Sequence, residues 1–542
     1  MTAATDAPPS PRPSRGPLFA SMAVIAAVVV WGLAAPASLG RFFGDALAAT
    51  TRNFGWFYLW LVLGLVLLAL FLAVSRYGDL KLGDEDEEPA FSVGAWFAML
   101  FAAGMGIGLV FWGVAEPISH YRHPPPGIAP ETPEAAGAAM RYAFFHWGLH
   151  PWAIYGIVGL AIGFFQFRRN APALVSSATA SLPWRGMRRL SPVVDVLATV
   201  ATAFGVAASL GMGATQINGG LHAVFGLPIG TAVQAAIIVV TTAMFITSAV
   251  SGVERGVKWL SIGNLGLAAL LALVVFLLGP TVAIVNTFTN TLGAYLSEFV
   301  RTSLRMSPFR DSTWVGDWTV FYWAWWVAWS PFVGLFIARV SRGRTIRQFL
   351  VGTVLAPTLV GFVWFAIFGG TALHREIFQA AGLGAAVEAD TATAMFAMLQ
   401  GLPLGTVLSV VTTVLVLVFF VTSGDSATLV LGMMSTGGDA NPRAGVKVAW
   451  GTAVAAIALA LLFAGGLEAV QTATIVFALP FAVVLVLMAV ALLRAVREDW
   501  EAQQRRDKAL RRRMRALVEQ GGDAVPAPAR TRDQGAANSG PR

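Results

Sequence analysis

Residues 319–332, TVFYWAWWVAWSPF, hold Trp323, Trp325, Trp326 and Trp329 within seven positions, followed by Pro331. The face of an indole ring is electronegative, and a cation held over it gains about 0.5–2 kcal/mol. A quaternary ammonium group suits such faces, because its charge is diffuse and it has no hydrogen to donate. A single Trp is an ordinary member of the aromatic belt at a membrane interface; rings on two facing helices can close a box. FFHWGLHPWAIYG supplies the second wall, with Trp147, Trp152 and Tyr155 five and three positions apart. At about 100° per residue they fall within a sector of about 140° on one helix. Trp325 and Trp329 are four apart and Trp326 and Trp329 three apart, so these also share a side.

Two spans, one of them carrying part of this ring set, are expected to be broken. AWFAMLFAAGMGIGLVFWGVAEP places Gly104, Gly106 and Gly108 two apart at the centre of an apolar run. Gly costs about 1 kcal/mol against Ala inside a helix, and a spacing of two does not build the small-xxx-small face of simple helix packing. Unwound backbone is tolerated at membrane depth only where it lines a cavity. Ser330 and Pro331 predict a second break, since Pro removes an amide donor and clashes with the preceding turn. These runs are the third and eighth apolar spans, five apart, the pattern of a transporter made of two inverted halves with its site between them.

The rest of the chain sets the scene for such a site. Of its 542 residues 56% are hydrophobic and 12% charged, and its mean hydropathy is +0.68; a soluble domain is about a quarter charged. The expected fold is an all-α integral membrane protein of twelve transmembrane helices, near 18–39, 56–76, 92–115, 138–166, 192–218, 230–249, 260–288, 317–339, 350–373, 403–434, 446–465 and 472–494. Spans 3–7 and 8–12 would form a 5+5 inverted-repeat core. The corresponding segments are a disordered tail (1–17), two peripheral helices with a polar loop (18–91), the first half (92–290), a surface helix or connection (291–316), the second half (317–494), and a basic helix with a disordered tail (495–542). Arg168, Arg169, Arg185, Arg188, Arg189, Arg255, Lys258, Arg339, Arg342, Arg344, Arg347, Arg443 and Lys447 all fall on one side of this arrangement. The positive-inside rule then places both termini in the cytoplasm, with the chain in the plasma membrane. Arg301, Arg305 and Arg310 fall on the other side, on the segment read as a surface helix.

Several classes are excluded. The chain has no Cys, so disulfides, thiol nucleophiles and cysteine-ligated metals are absent, and its six His show no metal-binding spacing. An intramembrane enzyme would need a nucleophile with its base, or a metal set, and a channel would need carboxylate rings or a filter repeat; the sequence has neither. The net charge of +8 is a membrane-surface signal, not a nucleic-acid one. The helix that bears Arg511, Arg512, Arg513 and Arg515 either fixes topology at the headgroups or responds to anionic lipid. Glu116, before Pro117, reads as a helix-end residue in an aqueous vestibule. Asp425 is an intramembrane carboxylate, read as structural, with a proton relay as the alternative.

AAGMGIGLVFWGVAEP and DWTVFYWAWWVAWSPFVGLFIARVSRGRT resemble the two signature stretches of the betaine/carnitine/choline transporter family. The likeness continues through HWGLHPWAIY, SGVERGVKWLS and FFVTSGDSATLVLG and covers residues 18–495. The resemblance implies a secondary transporter, not an enzyme, that imports a quaternary-ammonium zwitterion, glycine betaine first, by sodium symport and without cofactors. It implies an onium box of Trp147, Trp152, Tyr155 and Trp326, with Trp325 and Trp329 lining the path, and a carboxylate received at Gly104, Met105, Gly106 and Gly108. Choline carriers of the family tend to carry Asp where this chain has Gly108, which favours a zwitterion. One sodium site would comprise Ala102, Met105, Phe419, Thr422 and Ser423, although a Thr–Ser pair in a membrane helix ordinarily bonds back to its own preceding turn. A second would use Thr202, Ser209 and Phe332, but Val206 stands where the family has another Thr, so one oxygen ligand is missing. Sodium-independent exchangers carry an Arg at the position of Asn264. The family also suggests a homotrimer. The alternative is proton-driven or exchange transport of choline, carnitine, ectoine or a sulfonium solute.

Overall fold

Long apolar runs in lipid can satisfy their backbone only internally, and this chain does so with helices. In the computed structural model the described residues are 16–104, 106–251 and 254–522. The tail expected over 1–17 lies outside them except for Gly16 and Pro17, which instead begin a helix, and the expected C-terminal tail falls on 523–542, also outside, as does Met105. The helices are α1 (Gly16–Ala34), α2 (Pro36–Val74), α3 (Val93–Gly104), α4 (Ile107–Arg122), α5 (Pro133–Trp147), α6 (Leu149–Arg169), α7 (Met187–Phe225), α8 (Thr231–Ser251), α9 (Glu254–Leu278), α10 (Thr281–Ser297), α11 (Phe321–Val340), α12 (Ile346–Gln379), α13 (Gly405–Ser435) and α14 (Ala444–Gly522). Shorter helical turns connect some of them. Among the described residues the β-structure is one isolated bridge, Lys81 to Thr345. Residues 1–492 and 493–542 form separate compact units.

Eleven helices among the described residues are long and apolar enough to cross a membrane. The third expected span is not one of them, because it is divided into α3 and α4, of 12 and 16 residues. Each is short of the roughly 20 residues a crossing needs. The seventh span, expected to run to 288, stops at Leu278; Pro280 cannot continue it, and α10 starts afresh at Thr281. α14 is broken at Gly465 (φ 172°, ψ 20°) and Gly466 (φ 65°, ψ −144°), which separates the spans expected over 446–465 and 472–494.

The break expected at Ser330 and Pro331 does not occur. α11 runs unbroken through both, and its irregularity is a turn of π-helix before it, Val315–Val320. Pro331 cannot donate to the carbonyl of Val327, but the Ser330 hydroxyl donates to it instead at 2.7 Å. A neighbouring hydroxyl thus supplies the missing bond, one of the ways Pro is accommodated in membrane helices.

The fourth span is kinked, a feature absent from the sequence reading. α5 ends at Trp147 and α6 starts at Leu149, with Gly148 at φ −92°, ψ −136° between them. A Cβ at Gly148 would lie 2.4 Å from the carbonyl oxygen of Phe144 and 2.8 Å from the Phe362 ring, so only glycine fits. The freed groups find partners on other helices. Trp326 Nε1 donates to the His146 carbonyl at 3.0 Å, and the Leu149 amide donates to the Tyr295 hydroxyl at 3.3 Å.

The apolar stretches of α5, α6, α7 and α11 are largely buried, whereas α8 and the apolar part of α9 leave most of their residues unburied, as lipid-facing helices do. α6 and α11 cross closely. A Cβ on Gly334 would come within 2.7 Å of Val158 and 2.9 Å of the Gly159 amide, and one on Gly159 within 3.1 Å of the Gly334 carbonyl. The two helices that carry the aromatic rings are therefore in backbone contact, as small residues allow in membrane packing.

Candidate functional site

The aromatic side chains singled out by spacing do meet. Trp147, Trp152, Tyr155 and Trp326 are each at most 7% exposed and line one small cavity with Leu109, Pro151, Pro357 and Gly361. Trp326 stands edge-on to Trp147 at 4.9 Å and to Tyr155 at 6.0 Å, and Trp152 edge-on to Tyr155 at 5.6 Å. The grouping arises differently from the helical wheel. Trp147 lies before the Gly148 kink and Trp152 and Tyr155 after it, so no continuous face joins them; the kink does. The cavity is about 10 Å³, about the space one water requires. Admission of a trimethylammonium group therefore requires these walls to part.

A second cavity, of about 40 Å³, shares Leu109, Trp147, Tyr155 and Trp326 and adds Gly106, Gly108, Ser209, Trp325, Trp329 and Ser423. It brings together the start of α4, the rings of α11 and two of the hydroxyls proposed for sodium. Trp325 stacks on Trp326 at 4.8 Å and 14°, and its Nε1 is buried without a partner. Trp329 turns toward α7, donating to the Gly205 carbonyl at 2.7 Å, and packs against Phe332 at 5.2 Å. Gly108 has no room for a side chain: a Cβ would lie 2.8 Å from Trp325 and 2.9 Å from Trp147.

Of the candidate sodium ligands, Met105 and the side chain of Ala102 lie outside the described residues. The hydroxyl of Thr422 donates to the Val418 carbonyl at 2.9 Å, the ordinary back-bond, which still leaves oxygen lone pairs free to accept. Phe419 is buried but lines a different, apolar crevice, with Gly106 and Leu109. On α7, Thr202 Oγ1 is fully buried without a partner, and Val206 is buried one turn on. Asn264 Nδ2 donates to the Leu415 carbonyl at 3.3 Å, and its Oδ1 is buried and unpartnered. Such orphaned oxygens are what a small hard cation would use. Asp425 is bridged to α8 by the Ser248 hydroxyl at 2.9 Å.

Glu116 is not in an aqueous vestibule. It has no exposed surface and is surrounded by donors. Trp147 Nε1 and the Tyr322 hydroxyl donate to Oε2 at 2.8 and 2.6 Å, while His146 Nδ1 and His120 Nε2 lie 2.7 and 3.3 Å from Oε1. The donor atoms of Glu116, His120 and His146 lie within 4.8 Å of one another, but they face each other across hydrogen bonds. The sequence reading set all six His aside. The visible signal was the four-residue spacing of Glu116 and His120 on one helix and the adjacency of His146 to Trp147.

The family model for betaine/carnitine/choline transporters matches residues 18–501. The glycine betaine transporter OpuD of Bacillus subtilis (strain 168) is 48% identical over 483 residues, covering 88% of this chain and 93% of that protein. The ectoine/hydroxyectoine transporter of Virgibacillus pantothenticus is 45% identical over 492 residues, covering 90% and 98%. The glycine betaine transporter of Acinetobacter baylyi (strain ATCC 33305 / BD413 / ADP1) is 42% identical over 453 residues, covering 83% of this chain and 68% of that protein. A helical, multi-pass chain with this aromatic cluster and these relatives is a transporter rather than an enzyme, and it belongs to the betaine/carnitine/choline transporter family.

Proposed function

We propose that the protein imports glycine betaine across the plasma membrane by sodium symport, with alternating access between two inverted halves and both termini in the cytoplasm. The observation that carries the substrate is the ring cluster: Trp147, Trp152, Tyr155 and Trp326 converge with no charged side chain among the residues lining their cavity. Ring faces attract the onium head, and a substrate that brings its own carboxylate needs no anion from the wall. Gly108, with no room for an Asp beside Trp325 and Trp147, argues against choline. The neutral Asn264, where sodium-independent exchangers of the family carry Arg, supports a sodium ion travelling with the substrate; Val206, one turn from the unpartnered oxygen of Thr202, argues for one ion rather than two. A homotrimer is the assembly the family resemblance suggests.

Uptake of radiolabelled glycine betaine into liposomes under an inward sodium gradient tests this reading. Accumulation that follows sodium supports it, with a Hill coefficient near one for sodium; uptake driven by a pH gradient and indifferent to sodium sinks the coupling. Trp326→Leu should raise the KM about tenfold, the loss of one ring face, and an unchanged KM would remove the ring cluster from the site. Ectoine is the second reading, favoured by the Virgibacillus relative at 45% identity. Competition of ectoine and carnitine against labelled betaine separates these substrates.

A further inference from the structure

The buried Glu116 touches more of the ring cluster than its place on α4 suggests. Its Oε2 takes hydrogen bonds from Trp147 on α5 and Tyr322 on α11, and its Oε1 faces His146 on α5. The backbone carbonyl of His146 in turn accepts from Trp326 Nε1, and His146 Nε2 lies 3.0 Å from the Thr319 hydroxyl. One carboxylate therefore holds Trp147 directly and Trp326 through one residue. On its other side His120 packs 4.3 Å from Trp318 and 5.0 Å from Trp314, which line a polar cavity of about 640 Å³ with Arg122, Asp317 and Glu388.

We propose that Glu116 is a positioning residue for the onium site, fixing the ring of Trp147 against Trp326 and tying that pose to α11 and to the wall of the polar cavity. The proposal rests on reading the ring cluster as an onium site. Trp147 and Tyr322 both aim donors at one oxygen, so the position requires an acceptor with two free lone pairs. An apolar residue of the same length leaves both donors buried and unpaired and frees the indole to rotate. An amide can replace the carboxylate: its oxygen accepts from Trp147 and Tyr322 while its NH₂ faces His146 Nδ1. That nitrogen becomes an acceptor when the imidazole proton moves to Nε2, which then donates to the Thr319 hydroxyl. The requirement is for acceptor geometry rather than for charge.

The test uses the full chain, with tetramethylammonium as a bare onium probe beside glycine betaine. Glu116→Met should weaken binding of both by about tenfold or more, as expected when buried donors are left without their acceptor. Betaine uptake should show the loss in KM rather than in maximal rate. Glu116→Gln should restore most of the affinity, and Tyr322→Phe should weaken both ligands in the same direction by less. Unchanged tetramethylammonium binding in Glu116→Met, a change confined to maximal rate, or Gln behaving like Met would each overturn the proposal. Should Glu116→Met not yield folded protein, Tyr322→Phe decides: unchanged tetramethylammonium binding in that variant overturns the proposal equally. Failure of the unaltered protein to bind either ligand would sink the site reading, and this inference with it. Normal binding by both the unaltered protein and Glu116→Met sinks the positioning role alone.

Discussion

At the scale of single residues, Gly108 sets how closely Trp147 and Trp325 can approach α4. With a Cβ 2.8 Å from Trp325 and 2.9 Å from Trp147, Gly108→Ala would force both rings outward. Overpacking of this kind costs about 1–3 kcal/mol. Part of that falls on the bound state, where the rings must stand at set distances from the onium head, so the betaine KM should rise about tenfold. Competition with tetramethylammonium locates the effect. If the rings are displaced, the bare onium weakens as betaine does; if betaine alone weakens, Gly108 acts on the carboxylate end instead. The ring cluster was legible in the sequence, because so many Trp crowd into two spans. Glu116 was not. Its partners His146, Trp147 and Tyr322 are 30, 31 and 206 positions away, and no local pattern reports a burial that depends on contacts so distant.

At the scale of elements, the chain breaks where glycine permits and holds where a hydroxyl compensates. Pro331 was expected to open α11, and the sequence contained the reason it does not in Ser330, whose hydroxyl bonds to the Val327 carbonyl at 2.7 Å. Local propensity marks where a backbone bond is lost but not what replaces it. The kink at Gly148 was illegible for the converse reason. Gly148 is one of 56 glycines, and only the nearness of Phe144 and Phe362 makes it indispensable. The run of Gly104, Gly106 and Gly108 could be read, because three glycines two apart at the centre of one span do not build the usual face for packing against another helix. Ser330→Ala should leave the Val327 carbonyl buried without its donor, a loss of about 1–3 kcal/mol, seen as earlier thermal unfolding in detergent. Ser330→Thr should keep the bond and the stability. An alanine variant as stable as the parent would mean that the carbonyl has another donor.

At the scale of the whole molecule, two charged segments stand out from the apolar helices, one at a connection and one in the C-terminal unit. The acidic loop after α2 is joined to the loop between α11 and α12 by backbone hydrogen bonds, Leu82 to the Arg344 carbonyl, Gly343 to the Leu82 carbonyl and Ile346 to the Leu80 carbonyl, each 2.8 Å. Around them Arg342 pairs with Glu87 and Arg347 with Asp79. Those ion pairs are largely exposed and worth about 0–1 kcal/mol each, so the backbone bonds fix this connection and salt should alter it little. The C-terminal unit is different. Its helix is internally braced by Arg494 with Glu498 and by Arg497 and Arg505 with Glu501, and beyond these it carries Arg506, Lys508, Arg511, Arg512, Arg513 and Arg515 against Asp507 and Glu519. Near an anionic membrane each such cation gains about 1 kcal/mol, within a Debye length of about 8 Å at physiological salt. Deletion of residues 505–542 should therefore leave betaine uptake intact in zwitterionic liposomes, since the rings, α4 and the candidate sodium ligands all belong to the other unit. In the full chain, uptake should vary with the anionic lipid fraction and lose that dependence as salt is raised; in the deletion it should be flat throughout. Equal lipid dependence in both proteins would mean that the response arises in the membrane-embedded unit and that the basic helix serves only to fix topology.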